Sequence, residues 1–285
     1  MLQWQVGDVT IKRVVEMEMQ TVYSAKHPFI PDATPERLRE PSWLHPHFVT
    51  PDGNMTTSIH ALLVEAPGLK LVVDTCIGND RPRRIIRKQP LSTDFLQRFE
   101  AAGWKRTDVN AVICTHLHVD HVGWNTMLDG DKFVPTFPNA RYLFGKAEFE
   151  HWNAEGEGET KEILADSIQP IFDAGLVQLV DMDHRLSDEI RLMPTPGHTP
   201  GHVSVAIESK GQRALITGDI MHHPCQMMHT DWCAAFDSDQ QAARKTREAF
   251  LDKVAGTGAL VIGTHFAAPT AGRVQRDGAG YRLET

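Results

Sequence analysis

The sequence is poor in cysteine: four in 285 residues (Cys76, Cys114, Cys225 and Cys233), with no Cys-x-x-Cys pair. That excludes a disulfide scaffold and a thiolate zinc site, and makes a reducing cytoplasm the default compartment. Basic charge is also short, 29 Lys+Arg against 37 Asp+Glu for a net charge of -8, and its densest run, Arg81 to Lys88, is interrupted. Nucleic acid is therefore not an expected partner. No stretch approaches the roughly 20 apolar residues of a membrane span, and the N-terminus shows no basic segment followed by an apolar run. Neither membrane insertion nor export is expected. What the chain has in quantity is histidine, 15 residues, many of them clustered.

Hydrophobic residues at 41% and charged residues at 23% are ordinary globular usage. Short apolar runs alternate with helical patterns. A strand is expected over Val6 to Val15, followed by a Pro-rich irregular excursion over 16–56 that shapes a pocket or a homodimer contact. Ala61 to Glu65 and Leu69 to Asp74 read as strands around Ala66-Pro67-Gly68. Ser92 opens a helix that Gly103 stops, and Val109 to Cys114 reads as a buried strand. Further strands are expected from Arg141, over Val203 to Ile207 and over Arg213 to Thr217. A helix is capped at Ser238 with Gln241 in capping-box spacing, and a last strand runs Ala259 to Ile262. Mixed strands and helices of this kind suggest one α/β domain over 1–285.

The strongest signal is Thr115-His116-Leu-His118-Val-Asp120-His121 at the end of the buried strand. His-x-His on an extended segment puts two imidazoles on one side, because side chains repeat every second residue. Asp120 and His121 then turn with the chain toward a second point. Imidazole and carboxylate without thiolate suit zinc and its neighbours in a catalytic site. His198 lies in a Pro/Gly turn, Asp219 ends a strand, and His265 ends another. Asp74 closes an earlier strand and is expected to hold the motif loop, and His202 to orient a neighbour or pack. Trp124, Phe48 and Phe266 line an apolar pocket or belong to the core; Cys76 and Cys114 are expected to be buried and inert.

The set His116-x-His118-x-Asp120-His121, His198, Asp219 and His265, in that order, resembles the metallo-β-lactamase superfamily over roughly residues 57 to 270. Val122-Gly-Trp124-Asn125 and Gly218-Asp219-Ile-Met-His222-His223-Pro224 resemble its lactonase and methyl-parathion-hydrolase-like branch. The resemblance implies a four-layer αββα sandwich and two divalent metal ions, zinc or else Mn, Co or Fe. One metal would take His116, His118 and His198, and the other Asp120, His121 and His265. Asp219 would bridge them together with a hydroxide that attacks the substrate carbonyl. Asp120 and His222 are then the expected catalytic side chains, Asp120 toward the tetrahedral intermediate and His222 toward the oxyanion or leaving oxygen. His222 stands where related lactonases have a Tyr. The implied activity is hydrolysis of a small lactone or carboxylic ester; a phosphotriesterase is the alternative, and an iron redox protein of the same fold a more distant one.

Overall fold

The structure is a computed structural model that describes residues 1–154 and 156–285. It opens on a hairpin of β1 (Gln3–Val6) and β2 (Val9–Thr21). β2 runs beyond the expected end at Val15: the register shifts between Val15 and Met17, and the strand continues paired with β3 (Met55–Ala66) as far as Thr21. Residues 16–21 therefore belong to the sheet, and the Pro-rich excursion covers 22–54, with α1 (Pro35–Arg39) inside it.

β4 (Leu69–Val73), α2 (Phe95–Ala101), β5 (Ala111–Ile113) and α3 (Val119–Val122) follow. A small hairpin, β6 (Thr126–Asp129) and β7 (Lys132–Pro135), leads to β8 (Arg141–Gly145), α4 (Lys146–Ala154), α5 (Glu159–Ile163), α6 (Gln169–Asp173) and β9 (Val177–Val180). The second half comprises β10 (Ile190–Pro194), β11 (Val203–Ser209), β12 (Gln212–Ile216), α7 (Cys225–Met228), α8 (Gln240–Val254), β13 (Leu260–Ile262), β14 (Ala271–Asp277) and β15 (Gly280–Glu284). β13 is thus not the last strand. Asp239 rather than Ser238 caps α8, its carboxylate accepting from the Ala242 amide at 2.9 Å.

A seven-stranded sheet, β1-β2-β3-β4-β5-β8-β9, faces a six-stranded one, β10-β11-β12-β13-β14-β15. Three apolar cores separate the layers. Between the sheets lie Ile11, Leu62, Val64, Leu71 and Ile113 against Leu192, Val205, Ile207 and Ile216. The other face of the first sheet, with Ala61, Leu63 and Val72, packs on Phe95, Phe99, Ile168 and Ile171 of the helical layer. The second sheet presents Val261, Val274 and Leu283 to Phe250, Leu251 and Val254 of α8 and to Leu44 and Phe48 of the excursion. Strands buried on both faces carry apolar side chains at successive positions, which is why β3 reads Ala61-Leu-Leu-Val without alternation. The arrangement is the αββα sandwich. No helix among the described residues is long and apolar enough to cross a membrane.

Trp124, Phe48 and Phe266 are core residues. Trp124 stacks on Phe95 and donates its Nε1–H to Glu16 at 2.7 Å, while Phe48 meets the edge of Phe266. All four cysteines are free and buried, and burial pushes the Cys76 and Cys114 thiols well above their usual range.

Buried His223 makes a pH prediction. Its Nε2–H donates to the Phe48 carbonyl at 2.8 Å, and its Nδ1 accepts from the Cys225 amide at 3.2 Å, so only the neutral ring satisfies both. Burial lowers its pKa to about 4. An unfolded histidine titrates near ~6.5, so the unfolded chain takes up the proton first as pH falls. Stability from this group is present above pH ~6.5 and is lost between there and about 4, at up to ~1.4 kcal/mol per pH unit. Urea unfolding at pH 7.5 and 5.5 should show the wild type losing about 1 kcal/mol more than His223→Gln; equal losses would remove this role.

Candidate metal centre

The candidate side chains converge at one rim of the sandwich, where strands give way to loops. His116 to His121 follow β5, His198 sits between β10 and β11, Asp219 follows β12, and His265 follows β13. β4, β5 and β8 run parallel, as do β12 and β13, so the loops after them open on the same side.

Asp219 Oδ2 occupies the middle. The Nε2 atoms of His265 and His222 lie 3.2 Å from it, and those of His121, His198 and His116 lie 3.3, 3.5 and 3.7 Å away. His118 Nδ1 lies 3.0 Å from His116 Nε2 and 2.9 Å from His198 Nε2. Asp120 approaches His121 Nε2 at 3.7 Å and His265 Nε2 at 3.6 Å. His116, His118 and His198 thus form one trio and Asp120, His121 and His265 another, with Asp219 between. Every sequence-predicted site residue is in this cluster.

The donor set fits divalent cations. Ligand atoms about 2.0–2.1 Å from a tetrahedral zinc lie ~3.3 Å apart, close to the spacings here. His118 Nδ1 offers either one lone pair or one N–H, so it cannot form a full hydrogen bond to both imidazoles that face it. His121 Nε2, both ring nitrogens of His222 and Asp219 Oδ1 are buried with no hydrogen-bond partner, a costly state unless another group meets them. Electrostatics agree. Burial holds His116, His118 and His198 well below the usual histidine range, so they are neutral lone-pair donors at pH 7. For His121 burial works in the same direction, yet Asp219, Asp74 and Asp120 together push it well above that range. The carboxylates ask for positive charge at this place, a proton or a cation.

Local structure holds the donors. Asp74 accepts from Thr115 N at 2.7 Å and Thr115 Oγ1 at 2.9 Å, and its Oδ2 lies 2.9 Å from His121 Nδ1. His202 stays outside the cluster, and its Nε2 accepts the Asp219 amide at 2.7 Å. Gly218 is required beside it: φ is +57°, and a Cβ would stand 2.5 Å from His202 Nε2. The His265 ring donates from Nδ1 to the Ser58 carbonyl at 3.1 Å.

Several contributors carry no sequence signal. Buried Glu148 on α4 accepts from Leu117 N, Gly201 N and Trp152 Nε1, tying the His116 loop to the His198 loop. Glu16, set in the β2 bulge, accepts from Ile77 N, Gly78 N and Trp124 Nε1. Asp237 lies 2.8 Å from His198 Nδ1.

Beside the cluster opens a cavity of about 440 Å³ lined by Met19, Thr21, Phe29, Thr57, Ile59, Ile85, Val119 and Phe236, with His118, Asp120, Asp219, His222 and His265 at its polar end. Among the described residues no lysine or arginine lines it. His222 presents its ring edge-on to Phe29 and Phe236, with centroids 5.4 and 5.0 Å away, and stacks on His265 at 5.8 Å.

Residues 55–265 match the metallo-beta-lactamase superfamily, and the chain belongs to it. An N-acyl homoserine lactonase of Bacillus cereus is 24% identical over 204 residues, 67% of this chain and 75% of its own length. One from Bacillus sp is 29% identical over 157 residues, and this chain spans only 56% of its length. Among solved structures, AidC, a dizinc quorum-quenching lactonase in complex with a product, superposes with a TM-score of 0.79 at 22% identity over 99% of this chain and 96% of that one. A hydrolase of the beta lactamase superfamily gives 0.81 at 24% identity, again over 99% and 96%. At these identities the structural likeness is one of fold.

Proposed function

We propose that the protein is a dinuclear metal hydrolase that opens a lactone, or cleaves a carboxylic ester, bearing an apolar group. The observation that carries this reading is the ring of five imidazoles around Asp219 Oδ2 at the polar end of an apolar cavity. His116, His118 and His198 would hold one divalent cation and Asp120, His121 and His265 the other, with Asp219 within reach of both groups. Zinc suits the donors best; Mn, Co and Fe are the other candidates. Bound there, the cations supply Lewis acidity toward a carbonyl oxygen and lower the pKa of water.

The chain's own groups do the rest. Phe29, Ile59, Val119 and Phe236 hold the apolar part of the substrate and exclude water. Asp120, on the cavity wall, takes the proton released as water adds to the carbonyl carbon. His222 donates a hydrogen bond to the developing oxyanion or to the leaving oxygen, and the leaving oxygen takes up the proton held by Asp120. The carbon–oxygen ester bond breaks, and the product is a carboxylate and a hydroxyl, joined in one molecule when the substrate is a lactone. The lactonases among the relatives support this direction. A hydroxyacylglutathione hydrolase of Buchnera aphidicola is also related, 30% identical over 126 residues. Among the described residues the lining offers no lysine or arginine to pair with the carboxylates of a glutathione thioester, which favours a neutral substrate. Four buried free thiols suit the cytoplasm.

The test is a panel of neutral lactones, aryl esters, a glutathione thioester and a phosphotriester. The highest kcat/KM is expected on a lactone or ester with an apolar substituent. Faster turnover of the phosphotriester would reassign the substrate, and preference for the thioester would overturn the neutral-substrate reading.

A further inference from the structure

His198 differs from the other two imidazoles of its trio in what stands behind it. His116 Nδ1 meets only the Thr115 hydroxyl at 3.2 Å, whereas His198 Nδ1 faces the buried carboxylate of Asp237 at 2.8 Å. Asp237 is itself fixed. Its Oδ2 accepts from the Ala234 amide at 3.0 Å and lies 3.8 Å from Nη2 of Arg247, a fully buried residue of α8. Arg247 also donates from Nε to the Ile220 carbonyl, next to Asp219, and from Nη1 to the carbonyls of Thr230 and Trp232. The backbone of the same loop closes on the His198 turn through Ser238 N to His198 O and Asp239 N to Gly197 O, both 3.0 Å.

We propose that Asp237, held by the Ala234 amide beside the Arg247 guanidinium, is a positioning residue that fixes His198 as its Nδ1–H tautomer and so sets the metal affinity of the His116–His118–His198 trio. An ionised carboxylate only accepts, so the proton on His198 must sit on Nδ1, leaving the Nε2 lone pair turned toward His118 and Asp219. The negative charge behind the ring also raises its basicity toward a cation. Arg247 bonds the Ile220 carbonyl beside Asp219 and places its positive charge 3.8 Å from Asp237, so one buried guanidinium faces both donor loops. The inference rests on the proposed metal centre.

Asp237→Asn separates charge from shape. The Ala234 amide still needs an acceptor, so the amide oxygen is drawn there and the NH₂ turns toward His198. The ring must then accept at Nδ1 and carry its proton on Nε2, inside the site. Competition for Zn²⁺ against a chromophoric chelator should show one of two ions bound 10–100-fold more weakly in the variant, with the other unchanged. Nitrogen-15 NMR of the imidazoles in the zinc-loaded wild type should show His198 protonated on Nδ1, a readout that does not depend on the variant's folding. Unchanged affinity for both ions, equal weakening of both, or a His198 without its Nδ1 proton would overturn the inference. A wild type that binds no zinc would instead overturn the metal centre beneath it.

Discussion

Asp219→Ala is expected to leave a protein that holds fewer than two divalent ions and turns over its best substrate at least a hundred-fold more slowly. Asp219 Oδ2 lies within 3.7 Å of five imidazole nitrogens, and the side chain is 3% exposed, so water cannot easily replace it. Two divalent cations ~3.5–4 Å apart repel by on the order of 20 kcal/mol at an effective dielectric of ~20, before any anion is counted. With two cations bound as proposed, losing the Asp219 carboxylate would remove the nearest offsetting charge. The burial and the neighbouring histidines oppose each other in setting its ionisation. Burial alone would raise the Asp219 pKa, and His265, His121, His222 and His116 hold it well below the carboxylate range. It is therefore the negative partner of the whole cluster at neutral pH. Metal content by elemental analysis beside kcat/KM decides the point; two ions retained with near-normal turnover would take Asp219 out of the site.

His222→Ala is expected to lower kcat/KM by ~10²–10⁴ while leaving two ions bound, the range typical of a lost general acid or oxyanion donor. The ring lies on the cavity wall, and neither nitrogen has a hydrogen-bond partner. Its Nε2 is 3.2 Å from Asp219 Oδ2, close enough to reach the same place as a reacting oxygen. That proximity gives the experiment a second edge, since His198, Asp219 and His222 together could also surround an ion. Wild-type kinetics in the Ala variant would make His222 a passive wall. Loss of an ion would move His222 into the ligand set and overturn the division into two trios.

The clustered His and Asp donors were legible because the densest group, His116 to His121, is local: a strand end places two imidazoles together without help from the rest of the chain. His198, Asp219 and His265 each end or precede a strand, and the resemblance gave them an order. What surrounds them was not legible. Asp237, Glu148 and Glu16 meet their partners through the tertiary fold, across 39, 31 and 61 residues in the bonds His198–Asp237, Leu117–Glu148 and Ile77–Glu16, and isolated acidic residues carry no periodic signal. Phe29 and Phe236 become one wall only because the Ala235 amide donates to the Phe29 carbonyl.

The fold shows the same division. The strands expected over Val203 to Ile207 and Arg213 to Thr217 are β11 and β12, and the helix stopped by Gly103 is α2. β2 was cut short because Glu16 and Glu18 break the apolar run, although Met17 and Met19 keep the period-two pattern once the bulge is allowed. β14 and β15 carried an unread signal, Asp277-Gly278, between segments whose Val274, Tyr281 and Leu283 point inward.

The most direct test is to measure bound metal and lactone turnover in a single preparation as a chelator removes the ions and Zn²⁺ restores them. Two ions per chain, activity lost with them and regained on reconstitution is the predicted result. Full lactone hydrolysis by the metal-free protein would contradict the account.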